Sequence, residues 1–66
     1  MDKFIKFGEN VFNTRYIVAI GKSKRVYKPE YGIEIYTTVD IDRNYFNTEE
    51  ERNDAFNSLS NELLNK

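Results

Sequence analysis

From Ile33 to Asp42 the chain takes apolar and polar residues in turn. Ile33, Ile35, Thr37, Val39 and Ile41 occupy one set of positions, and Glu34, Tyr36, Thr38, Asp40 and Asp42 the other. A period of two is the mark of a strand with one buried face, so this stretch predicts one long strand, aliphatic inside and polar outside apart from Tyr36. An apolar sheet face needs a cover, and the sequence supplies one further on. Thr48 and Glu51 stand at capping-box spacing, and Glu49, Glu50 and Glu51 put negative charge at the positive end of a helix dipole. Ala55, Phe56, Leu59 and Leu63 then form one stripe of an amphipathic helix running from about Thr48 to about Leu64.

Upstream the signals are shorter. Lys3 to Phe7 reads as a strand of aromatics and isoleucine, Gly8-Glu9-Asn10 as a turn, and Val11-Phe12 as the returning arm of a first hairpin. Asn13-Thr14 breaks the path before Tyr16 to Gly21, the most apolar strand. The lysine-rich stretch after it lacks helical periodicity and reads as a hairpin tip or exposed strand end. Lys28-Pro29-Glu30-Tyr31-Gly32 reads as a loop, because Pro29 fixes φ and withholds a donor. The expected fold is α+β: an antiparallel sheet of about four strands with one C-terminal helix on one face, the whole chain forming a single domain, residues 1–66.

Sheet arithmetic carries this reading one step further. In Tyr16 to Ile20, Ile17 and Ala19 are expected to point one way while Tyr16, Val18 and Ile20 point the other, so the strand reads as apolar on both faces. One helix covers one face. Either the sheet curls onto itself as a partial barrel or the second face meets another chain. Because a 66-residue chain without cysteine or histidine has no disulfide or thiolate site to staple it, a homo-oligomer is expected. The homo-oligomer interface expected on this basis comprises Tyr16, Val18, Ile20 and Tyr36.

The residue types argue against several chemistries. Ser23, Ser58 and Ser60 have no histidine to activate them, so no catalytic residue is assigned and the chain is read as a non-enzyme. Asp40 and Asp42 would neighbour one another on one strand face, an arrangement read as a polar outer surface. Asp40 to Glu51 resembles an EF-hand calcium loop, with Asp, Asp, Asn and Glu at loop positions one, three, five and twelve. It departs from the pattern at position six, where Tyr45 replaces glycine, and upstream, where a strand replaces the entering helix. No metal and no cofactor is therefore expected. The uncharged apolar runs are too short to span a bilayer, so the chain is expected to be cytoplasmic, without a membrane partner.

Charge is distributed unevenly. The net charge is −1, yet residues 1–29 carry +5 and residues 30–66 carry −6. The candidate ligand site lies in the basic part: Lys22, Lys24, Arg25 and Lys28 with Arg15 supply donors for phosphate, and Tyr16, Tyr27 and Tyr31 supply rings that stack on a base. The expected function is capture of a phosphate-bearing ligand, a nucleotide signal or a short nucleic acid, by a homo-oligomer. The alternative is a protein–protein inhibitor or adaptor, acting on a host protein through its acidic helix face or the exposed sheet face. Separately, Glu49, Glu50, Glu51 and Asp54 with Asp40 and Asp42 would form a negative surface that imitates a nucleic-acid backbone toward a DNA-binding partner.

The layout of short strands, one long alternating strand and a terminal helix sits in a very small chain. Phe, Tyr, Met, Ile, Asn and Lys, all AT-coded, make up nearly half of its residues. In layout and size it resembles the accessory proteins of phages and mobile elements, including counter-defence proteins such as anti-CRISPRs and sponges of nucleotide signals. That resemblance implies binding and sequestration in place of turnover.

Overall fold

The computed structural model describes residues 2–64. Strands β1 (Phe4–Phe7) and β2 (Asn10–Asn13) form a two-stranded hairpin, and a short 3-10 turn, Thr14–Tyr16, follows. Strands β3 (Ile17–Lys24), β4 (Tyr31–Thr37) and β5 (Ile41–Phe46) form a three-stranded antiparallel sheet in that order, and helix α1 (Glu49–Leu64) ends the described chain. The α+β layout with a C-terminal helix is as read from the sequence, with five strands in two sheets.

The first hairpin closes through Gly8 and Glu9, between the paired Phe7 and Asn10. Gly8 has φ +62°, a left-handed conformation open to glycine at no steric cost, and a side chain there would strike Asn44 Oδ1. Asn13 caps the 3-10 turn, its side-chain oxygen accepting from the Arg15 N–H.

The helix begins as its sequence dictates. Thr48 Oγ1 accepts from the Glu51 N–H at 3.1 Å, and Glu51 Oε1 accepts from the Thr48 N–H at 3.2 Å, so two backbone donors at the helix start are satisfied reciprocally. The stripe then docks, with Leu59 in the core and Ala55, Phe56 and Leu63 packed against it.

Two expectations need correction. The alternation from Ile33 to Ile41 does not describe one strand. Ile33 and Ile35 are fully buried, but β4 ends at Thr37, and Val39 is 90% exposed at a turn. Thr37 Oγ1 accepts from the Val39 and Asp40 N–H groups, and Asp40 Oδ1 accepts from the Ile41 N–H. Side-chain oxygens bonding nearby amides make a turn, and β5 starts beyond it. Tyr31 and Gly32 likewise belong to β4 and not to the preceding loop.

The second correction concerns β3. Ile17 pairs with Thr37 and Ala19 with Tyr36, so Val18 is an extra residue in a bulge. The bulge reverses the alternation that follows, and Ile17 and Ile20 both pack against the core. Val18 is 65% exposed and Ala19 is also exposed. The strand is therefore not apolar on two faces, because Ile20 belongs to the covered one.

The core is Ile5 from β1, Ile33 and Ile35 from β4, and Leu59 from α1, with Phe7, Phe12 and Phe46 around it. Helix and β1–β2 hairpin both lie over the same face of the three-stranded sheet. No described element covers the opposite face.

Candidate nucleotide-binding face

Register decides which side each residue takes. Lys22 pairs with the buried Ile33 and Lys24 with Tyr31, so both lysines lie on the helix side. Lys22 Nζ sits 5.1 Å from the Phe56 ring centroid, and Lys24 Nζ 5.3 Å from that of Tyr31. Their aliphatic stems lie along apolar surface while the ammonium groups reach water.

The uncovered face carries Ala19, Gly21 and Ser23 from β3, Gly32, Glu34 and Tyr36 from β4, and Ile41, Arg43 and Tyr45 from β5. Glycine permits this arrangement. A Cβ on Gly32 would come within 2.8 Å of Tyr45 Cε1, and one on Gly21 would sit 3.9 Å from Tyr36 Cε2, so the tyrosine rings lie against positions that have no side chain. Ser23 Oγ is buried beside Gly32 without a hydrogen-bond partner among the described residues.

Arg25 extends this layer past the end of β3. Its guanidinium carbon stands 3.6 Å from the Tyr45 centroid and 4.4 Å from that of Tyr27. Its Nε donates to the Pro29 carbonyl at 2.7 Å, and its backbone N–H to the Glu30 carbonyl at 2.9 Å. Tyr27 remains 63% exposed, and Lys28 is exposed beside it. Cation–π contact and the Pro29 bond fix the guanidinium plane, and its terminal nitrogens have no partner among the described residues.

A second arginine is held on β5 through its Nε, here by a carboxylate. Arg43 Nε donates to Glu34 Oε2 at 3.0 Å, and the Tyr36 hydroxyl donates to Glu34 Oε1 at 2.5 Å. These bonds, that of Tyr36 foremost, hold the Glu34 carboxyl below its ordinary pKa. The same carboxylate raises the Tyr36 hydroxyl and the Arg43 guanidinium, because each donates to it.

The expected site thus divides into three places. Arg25 and Tyr27 join the uncovered face, Lys28 stands beside them at the hairpin tip, and Lys22, Lys24 and Tyr31 lie on the helix side. Arg15 and Tyr16 belong to neither group. They precede β3, the strand's length of about 25 Å from the hairpin tip, and Arg15 pairs with Asp2 at 3.6 Å. The residues missed from the sequence are Arg43, Tyr45 and the supporting Glu34. Arg43 and Tyr45 come from β5, where they alternate with Asn44 and Phe46 as strand residues do, and Glu34 faces them from β4.

The residues of the expected oligomer interface also part company. Tyr16 and Val18 are exposed beside an open apolar groove of about 290 Å³ between the start of β3 and the end of α1, lined by Ile17, Val18, Ala19, Ile20, Leu63 and Leu64 among others. Ile20 reaches that groove from the helix side, and Tyr36 lies on the uncovered face.

The acidic residues do not gather. Asp40 closes the turn before β5, whereas Asp42 lies within it, accepting from Asn10 at 2.8 Å and from Asn44 at 2.8 Å. Asp40 and Asp42 therefore do not share one strand as expected. The helix acids start beyond the far end of β5, about 20 Å along the strand, so the six acids make no single surface. The loop-like run from Asp40 to Glu51 is spread over a turn, a strand and a helix start, and no group of three acids converges on a metal position among the described residues. No described helix is long and apolar enough to cross a membrane.

No protein-family model, curated protein or solved structure matches the chain.

Proposed function

We propose that this chain is a non-enzymatic binding protein that captures a phosphate-bearing, base-containing ligand at the β3–β4 hairpin end of its uncovered sheet face. The observation that supports this is Arg25. A guanidinium held against Tyr45 and Tyr27, with Nε already committed to Pro29, presents its remaining donors as a fixed fork for phosphate. Lys24 and Lys28 add positive charge at the same end, and the exposed Tyr27 ring offers a surface for a base. In this reading the protein sequesters its ligand and returns it unchanged.

The test is charge reversal at the two exposed lysines, Lys24→Glu with Lys28→Glu, followed by calorimetric titration of ATP, a cyclic dinucleotide and a single-stranded oligothymidylate at low ionic strength. The double variant keeps its circular dichroism spectrum and loses affinity at least about tenfold, since two negative charges replace two positive ones at the hairpin end that presents the Arg25 fork. Wild-type protein that binds none of the three probes, or a variant that binds with unchanged affinity, rejects the reading.

A second reading has its own observation. β3 is an edge strand, and the apolar groove beside Val18 and Leu64 adjoins its free side. We propose this as the site of self-association or of a protein partner, replacing the shared-sheet interface expected from the sequence. Light scattering on dilution tests self-association. Such a contact responds little to salt, whereas phosphate capture weakens steeply.

A further inference from the structure

We infer that the uncovered face is built for single-stranded nucleic acid lying along β5, in preference to a mononucleotide; this rests on the phosphate-binding reading above. The inference starts from the repetition of one unit. Arg25 and Arg43 each spend Nε on an acceptor within the chain, the Pro29 carbonyl and Glu34 respectively, and each leaves its terminal nitrogens without a partner among the described residues. Each is also accompanied by tyrosine, Arg25 by Tyr27 and Tyr45, and Arg43 by Tyr36 through their common Glu34.

The spacing fits a polymer. Arg43 and Tyr45, with Arg25 over the Tyr45 ring, occupy successive same-face positions of β5, about 7 Å apart. That matches one repeat of an extended polynucleotide backbone, so two cationic forks meet successive phosphates. A mononucleotide fills one of them. Glu34 does not oppose this, because its charge is matched by Arg43 and hydrogen-bonded by Tyr36. The face is three strands wide, and Tyr27 can stack only on an unpaired base. Duplex offers it none.

The experiment compares an oligothymidylate, the same strand annealed to its complement, and ATP, by fluorescence anisotropy and calorimetry across a salt series. The single strand binds at least about tenfold more tightly than ATP or duplex. Its affinity falls with salt at a log–log slope of about −1.4, from about −0.7 for each phosphate neutralised on a single strand. Arg43→Gln brings that slope to about −0.7 and leaves ATP binding within about twofold, a result that loosened folding alone does not produce. Arg43→Lys, which keeps the charge, restores the slope. Equal binding of duplex and single strand, ATP binding as tight as the strand, or an unchanged slope in Arg43→Gln overturns the inference. An oligothymidylate no better than ATP leaves the capture reading intact, whereas failure of every probe removes both.

Discussion

At the scale of the single residue, Arg52 does the most to join helix to sheet. It is 6% exposed, and its Nη1 donates to the carbonyls of Ser23 at 2.8 Å and Gly32 at 3.2 Å. Nε donates to Asn53 Oδ1, Nη2 lies 3.7 Å from Glu49, and the guanidinium carbon is 5.5 Å from the Tyr31 centroid. Burying a cation is tolerable only with such a set of partners. Because the helix is fastened at the root of the β3–β4 hairpin, Arg52 also steadies the strand ends that present Arg25. Arg52→Ala is expected to cost about 2–4 kcal/mol in urea unfolding, since it leaves buried carbonyls without a donor. Arg52→Met, which refills the volume, recovers part of that loss. A change in Arg52→Ala below about 0.5 kcal/mol, the usual range for a surface position, would show that the anchor is ornamental. The sequence held a sign of this residue: Arg52 lies three and four positions before Ala55 and Phe56, on the apolar stripe. It was legible as a charge out of place.

At the scale of the elements, what could be read was whatever is local. The capping box and the first hairpin depend on neighbours in sequence and are found where their residues put them. Alternation fails as a guide where a turn happens to keep the beat, as Thr37, Val39 and Ile41 do, and where a bulge shifts it, as at Val18. β5 was hidden for a different reason. Its inward-facing positions begin with Asp42 and Asn44, which a pattern rule assigns to solvent, but Asn10 of the first hairpin and Asn44 itself bond to Asp42. Pairing across a tertiary contact satisfies polar groups that no local rule expects to find there. The outward side of the sheet yields a prediction that joins β4 to β5. Glu34, held low by Tyr36 and Arg43, adds stability above its unfolded pKa, and that stability is lost as pH falls through the lowered folded value. Tyr36, raised by Glu34, adds stability that is complete below its unfolded pKa and lost as pH rises through the raised one. The cross-strand network therefore favours the fold in the window between about pH 4.3 and pH 10, the unperturbed Glu and Tyr values. Melting temperatures of wild type and Glu34→Gln, measured across that range and beyond it, are expected to differ inside the window, to converge below it as Glu34 takes up its proton, and to change their difference above it as Tyr36 ionises beside the Glu34 carboxylate. Parallel curves throughout would mean the network adds nothing to folding.

At the scale of the whole molecule, the two covers act as one. Ile5 comes from the hairpin, Leu59 from the helix and Ile33 and Ile35 from the strand between them, so each cover leaves the other's core face open if it lifts. The helix has little independent means of survival: it carries no basic residue in its last turn to offset the dipole, and isolated helices of about this length are marginal in water. A single core in a chain of this size supplies rarely more than about 3–5 kcal/mol. Truncating a buried isoleucine to alanine costs about 2–5 kcal/mol, and to valine about 0.5–1.5 kcal/mol. Ile5→Ala is therefore expected to abolish helical ellipticity at room temperature although Ile5 lies far from the helix in sequence, while Ile5→Val folds and melts at a lower temperature. Helical signal that survives in Ile5→Ala while the first hairpin becomes open to protease would show two independent covers, and the uncovered face would then rest on the helix side alone.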